Sequence, residues 1–76
     1  MTIINYYFLL KMRTGKVKFF NESKGFGFIT DDETGNDIFV HVSGIKSREL
    51  RDGDSVSYVE SDGKKGIIAS DVVVIE

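Results

Sequence analysis

From residue 12 onward the chain alternates apolar and polar positions with a period of two, in short runs cut by Gly, Asp and Asn. Successive side chains of a strand point to opposite faces, so this period marks half-buried β-strands. Five strands are predicted: Gly15 to Asn21, Phe26 to Thr30, Asn36 to Val42, Ser55 to Glu60, and about Ile67 to Ile75. Between them, Asp31-Asp32-Glu33-Thr34-Gly35, Arg51-Asp52-Gly53-Asp54 and Ser61-Asp62-Gly63-Lys64-Lys65-Gly66 read as turns and a glycine-bracketed loop. No stretch has helical periodicity; Ser47 to Leu50 is long enough for one turn at most. Five short strands in about 65 residues predict an all-β, closed or nearly closed barrel, which also removes exposed strand edges.

Within this pattern one strand is unusual. In Lys24-Gly-Phe-Gly-Phe-Ile-Thr30, residues Phe26, Phe28 and Thr30 share one face, and Gly25, Gly27 and Ile29 share the other. In the next strand Ile38, Val40 and Val42 form an aliphatic face, opposite Asp37, Phe39 and His41. With the two strands as antiparallel neighbours, Ile29 joins the Ile/Val interior, and Phe26, Phe28, Phe39 and His41 meet outside. Glycine then fits where the interior is tight. A core built from the phenylalanines would instead leave Ile29, Ile38 and Val40 facing water. The first strand obeys no clean parity: Val17 and Phe19 share a face, as do Lys16, Lys18 and Phe20. A bulge would bring Lys18 and Phe19 to one surface, and the sequence does not by itself reveal one. Val56 and Tyr58 read as packing residues of strand four.

Composition narrows the chemistry. At 76 residues the chain forms one domain with a small core. It has no cysteine, which excludes disulfides and thiolate metal sites and fits a reducing, cytoplasmic setting. Ten Lys+Arg against 12 Asp+Glu give a formal net charge of −2, so attraction to a polyanion must come from a local strip such as Lys16, Lys18 and Lys24. The opening MTIINYYFLLK differs from the rest: all 12 acidic residues lie beyond position 20. It lacks the charge order and small-residue site of a signal peptide, and is about half the roughly 20 residues that span a bilayer. Residues 1–11 are read as an apolar extension ahead of a domain over 12–76. They are an extension before a natural start at Met12, an added edge strand, or a partner-binding segment. Edge-to-edge pairing of IINYYFLL would give a dimer or swapped assembly, whereas residues 12–76 are expected to be monomeric.

The segments GKVKFFN, KGFGFI and DIFVHVS, in that order, resemble the bacterial cold-shock proteins and the cold-shock domain generally. The second and third look like that family's two ribonucleoprotein motifs, and the likeness runs from Met12 to Ile75 with GDSVSYVESDGKKG in its expected place. The resemblance implies a five-stranded antiparallel OB-fold-type barrel that binds single-stranded RNA and DNA, acts as an RNA chaperone and thereby affects transcription and translation. It implies no catalytic group, metal or cofactor. By position, Phe26, Phe28, Phe39 and His41 fall where the family stacks bases, joined by Phe19 and Phe20. Lys18, Lys24 and Lys65 match basic positions, and Asn21 and Asp37 match positions that contact base edges. The chain departs from the pattern at Phe19, where tryptophan is usual, and at Val42, where an aromatic is common. Its loop SGIKSRELRDGDS is short and lacks the family's aromatic, and Ile67 replaces a proline. Each base–aromatic stack is worth about 1–3 kcal/mol, so affinity is expected to lie one or more orders of magnitude below that of a fully aromatic relative. With few basic contacts the salt dependence should be shallow.

Two other functional classes fit these residues less well. A small ribonuclease needs two positioned titrating groups, which one histidine and no paired carboxylates do not supply. A protein-interaction module would also use an apolar aromatic patch; the interleaved lysines favour a polyanion instead.

Overall fold

The computed structural model describes residues 12–64 and 66–75; the expectations for residues 1–11 and for Lys65 lie outside them. Five strands, β1 (Met12–Asn21), β2 (Phe26–Asp31), β3 (Asp37–His41), β4 (Ser55–Gly63) and β5 (Gly66–Val74), close into a barrel in the order β1-β2-β3-β5-β4. Four of the neighbour pairings are antiparallel, and a short parallel pairing of β3 with β5, Phe39 opposite Ile68 and Val40 opposite Ala69, completes the closure. β1 is long enough to serve two neighbours: Met12 to Lys16 pair with β4, and Gly15 to Asn21 pair with β2.

The interior is aliphatic, as the alternation requires. Val17, Ile29, Ile38, Val40, Val56 and Val72 are buried, together with Tyr58 and Ala69, and Leu50 enters from the loop before β4. Each fully buried side chain of this size contributes roughly 1.5–3 kcal/mol, so a handful of them carries much of the stability. Ile29 pairs with Ile38, which turns the aliphatic faces of β2 and β3 inward together.

Several boundaries differ from the sequence reading. β1 starts at Met12 rather than Gly15, and β4 continues to Gly63, so the glycine-bracketed loop is a tight hairpin with Gly63 opposite Gly66. β3 ends at His41. The His41 ring caps a 3-10 turn over Val42–Gly44 by accepting the Ser43 N–H at Nδ1, and Val42 therefore leaves the aliphatic face and is 50% exposed. Ser47 to Leu50 form no helical turn.

Asp31 closes β2 instead of opening a polar turn, and it is only 2% exposed. Its carboxylate accepts Arg13 Nε at 2.7 Å and Arg13 Nη2 at 3.2 Å, the Tyr58 hydroxyl, and the N–H groups of Glu33 and Thr34. A buried charge is tolerated only when paired and fully hydrogen-bonded, and here it is both. The Arg13 bond, above the other contacts, holds the Asp31 carboxyl well below the usual carboxylate range. Burial, reinforced by donation to Asp31, pushes the Tyr58 hydroxyl above its ordinary value.

Candidate nucleic-acid interface

The parity conflict in β1 resolves through a bulge. Val17 faces Ile29, but Phe19 faces Phe28, so Lys18 is the extra residue and the alternation restarts after it. Val17 remains in the core while Lys18 and the 38%-exposed Phe19 both reach the outer surface. The bulge also turns Phe20 inward, where it is partly buried against the core.

Two glycines allow β2 to lie against this curved strand. A Cβ on Gly27 would run into the Phe19 carbonyl oxygen and approach Phe20 Cα to 2.8 Å, so only a residue without a side chain lets the backbones come this close. Gly25 has φ of +75°, in the left-handed region that glycine enters without steric cost. There it receives an N–H···O bond from Val42 at 2.8 Å, tying the β1–β2 turn to the end of β3.

On the outer face of β1, β2 and β3 four rings form a closed circuit. Phe19 and Phe28 lie 5.7 Å apart, Phe28 and Phe39 5.8 Å, Phe39 and Phe26 5.8 Å, and Phe26 and Phe19 6.4 Å, centroid to centroid. Phe26 and Phe39 are nearly parallel at 23°, whereas the other three pairs are tilted or edge-on. These separations match favourable ring contacts, so the rings hold one another in place while each keeps part of its surface toward solvent. His41, opposite Phe26 in register, extends the row and is exposed. Its Nδ1 is engaged by the Ser43 N–H and hydroxyl.

The polar candidates surround the rings. Lys18 Nζ lies 2.8 Å from Asp37 Oδ2, and Asp37 Oδ1 accepts the Thr30 hydroxyl at 2.9 Å. The Lys18 bond is the larger cause of an Asp37 carboxyl held below its ordinary value. Asn21 spends its side-chain oxygen on the turn, accepting the Lys24 N–H at 3.0 Å. Lys24 is exposed and has no ion pair among the described residues. The structure thus brings Phe19, Phe26, Phe28, Phe39, His41, Lys18 and Asp37 to one face. Phe20 packs beneath it, and Asn21 with Lys24 stands at its β1–β2 end.

Beside Phe39 an open groove of about 440 Å³ continues the face toward the β4–β5 hairpin, lined also by Lys64, Gly66, Ile67 and Ile68. Ile67 and Ile68 were not legible as neighbours of the rings, because the parallel β3–β5 pairing that brings them there leaves no signature in local alternation. No group of three or more metal-ligating side chains is present among the described residues, and none of their helices is long and apolar enough to cross a membrane.

Comparison with known proteins agrees with this geometry. The family profile of the 'Cold-shock' DNA-binding domain matches residues 13–75. The cold shock protein CspV of Vibrio cholerae serotype O1 is 52% identical over 65 residues, covering 82% of this chain and 93% of that protein. The major cold shock protein CspA of Pseudomonas aeruginosa is 47% identical over 66 residues, covering 83% and 94%. Among solved structures, drosophila Unr CSD456 superposes with a TM-score of 0.74 at 20% identity, covering 99% of this chain and 32% of that longer one, a likeness of fold. A barrel of this topology, with two ribonucleoprotein-like motifs on adjacent strands and a profile match over most of its length, belongs to the cold-shock domain family, a family of nucleic-acid-binding domains.

Proposed function

We propose that the protein binds single-stranded RNA and DNA by stacking bases on the Phe19, Phe26, Phe28 and Phe39 platform, and that it acts as an RNA chaperone. The observation that carries this reading is the closed circuit of four surface rings, 5.7 to 6.4 Å apart, on a barrel whose core is filled by other residues. Every base has a π-face, so such a surface grips open strands with little demand on sequence. A duplex hides those faces in its own stack, and the platform therefore favours unpaired over paired strands without ATP or a catalytic group. Binding to transient single strands drains the paired population by mass action, which is the energetic content of chaperoning. Effects on transcription and translation would follow from the same shift.

The test is fluorescence anisotropy with labelled oligo-dT and oligo-U of about seven nucleotides against a duplex of equal length, using wild type and Phe28→Ala. Losing one stack of about 1–3 kcal/mol should weaken single-strand binding roughly tenfold. Equal binding to duplex, or no loss in the variant, sinks the stacking mechanism and makes the aromatic face a protein-docking patch.

A further inference from the structure

β4 outlasts its partner on one side. β1 begins at Met12, opposite Val59, whereas β4 runs on through Glu60 to Gly63. Among the described residues, Glu60 to Gly63 pair only with β5, opposite Ala69 to Gly66. The other edge of such a strand presents a row of backbone donors and acceptors that a further strand can take. The outer face beside it is uncharged and partly aliphatic. Met12, Val73 and Ile75 are 37%, 40% and 45% exposed. Val59 lies opposite Met12, and Ser57 lies opposite both Thr14 and Val73, so the positions that join them carry no charge either.

We propose that residues 8–11 of the same chain lengthen β1 along this edge of β4 and so shield it from other chains. These residues lie outside the described ones, and connectivity and register make the assignment. Carrying the β1–β4 register outward from the Met12–Val59 pair sets Lys11 opposite Glu60, Leu10 opposite Ser61, Leu9 opposite Asp62 and Phe8 opposite Gly63. The one charged side chain among residues 1–11 thereby meets a carboxylate, a favourable pair for directly opposed strand positions. Glu60 is 43% exposed and has only a loose contact with Arg13, at 3.8 Å, which leaves it room for a second cation.

The period of two then puts Leu10 and Phe8 on the face of Met12. Their neighbours across β4 are apolar: Val59 is the partner of Met12, and Ile68 is the partner of Ser61. A Cβ on Gly63 would come within 2.7 Å of Ile68 Cγ2, so the bare glycine leaves Ile68 for a large cross-strand side chain to cover. Phe8 is that side chain in this register. A slip of one residue would turn Leu10 and Phe8 to the opposite face and take Lys11 away from Glu60. The segment's own chain is favoured over a second copy. Residues 8–11 continue directly into Met12 and need no loop closure, whereas a second copy must first lose its freedom of motion.

The chain has no cysteine, so an introduced pair reports the register directly. In the full chain, Leu10→Cys with Ser61→Cys places the two thiols on opposed residues, at a separation of about 4.5–5.5 Å between Cα atoms that a disulfide accepts. Mild oxidation should give an intrachain disulfide, and several-fold faster than the slipped pair Leu9→Cys with Ser61→Cys. Adding Lys11→Glu, which opposes like charges, should slow the first reaction. Covalent dimers from the first pair would overturn the proposal and assign this edge to a second copy of the chain. Equal rates for the two pairs would overturn it as well, since an unpaired segment has no register. A second measurement needs no cysteine: Phe8→Asp in the full chain should lower the urea midpoint, and an unchanged midpoint would mean that residue 8 covers nothing on the barrel.

Discussion

Phe19 occupies the position at which the platform can be enlarged most cheaply. It is 38% exposed, it contacts Phe26 and Phe28 only by tilted or edge-on geometry, and the bulge beneath it leaves its outer side open. Phe19→Trp adds ring area where the family usually places tryptophan, without filling any core space. A gain of part of one stack, about 1 kcal/mol, corresponds to roughly fivefold tighter binding of oligo-dT, with an unchanged denaturation midpoint. A titration showing no gain would mean that the strand's path misses β1. At this scale the sequence was informative wherever a residue's role follows from local parity. Phe26, Phe28, Phe39 and His41 could be placed outside because Ile29, Ile38 and Val40 needed the interior. It was silent where the role depends on a register shift. Phe19 and Phe20 trade faces because of one extra residue, and Lys18–Asp37–Thr30 becomes a cluster only once three strands are aligned.

At the scale of the element, β2 is defined by how closely β1 can approach it. Gly27 lies opposite Phe20 in register, and its missing side chain is the space that the Phe19 carbonyl and the Phe20 backbone occupy. Gly27→Ala should therefore force β1 and β2 apart, costing on the order of 1–3 kcal/mol as overpacking usually does, and should weaken binding as well because Phe19 rides on the displaced strand. Ser57→Ala, on a half-buried position of β4 away from the rings, is the comparison: it should alter neither the denaturation midpoint nor oligonucleotide affinity by much. A Gly27→Ala protein as stable as wild type would contradict the close approach. The strands themselves were legible because glycine and aspartate punctuate them. Their ends were not, since β1 and β4 lengthen each other by pairing Met12 with Val59, and β4 and β5 lengthen each other into the hairpin at Gly63 and Gly66. Nor was the parallel β3–β5 closure, which joins segments separated by the whole of β4 and is decided by barrel geometry rather than by any turn.

The whole molecule depends on a second polar site, at the opposite end of β2 from the rings, and it sets how stability varies with pH. Asp31 links β1 through Arg13, β4 through Tyr58 and its own turn through Glu33 and Thr34. Its carboxyl is depressed in the folded state relative to about 3.9 in the unfolded chain, so its contribution is complete above that value and is lost as pH falls through the lower, folded one. Asp37 and Asp54 are shifted in the same direction and act with it, though both are far more exposed. Glu22 is raised by its bond with Glu49, which favours the folded state slightly as pH drops and cannot offset the loss at a fully exposed position. Tyr58 has the opposite sign from Asp31. Its hydroxyl is raised above the unfolded value of about 10, so its contribution is complete below that and disappears as pH climbs past it. The denaturant midpoint should therefore be flat from about pH 5 to 9 and fall on both sides, by on the order of 2 kcal/mol on the acid limb. Tyr58→Phe should remove the alkaline limb and, by leaving Asp31 Oδ2 short of a buried donor, lower the plateau by about 1–3 kcal/mol. Asp31→Asn should shrink the acid limb and remove the buried acceptor of Arg13 and Tyr58, at a cost of about 1–3 kcal/mol at neutral pH, while Arg13 keeps its ion pairs with Glu33 and Glu60. Midpoints that stay level from pH 5 down to 2 would refute the assignment of the acid limb to this carboxylate. Neither variant touches the aromatic face, so the surviving folded fraction should bind oligonucleotides with wild-type affinity, and a loss of affinity in step with stability would show that the barrel's two ends are energetically coupled.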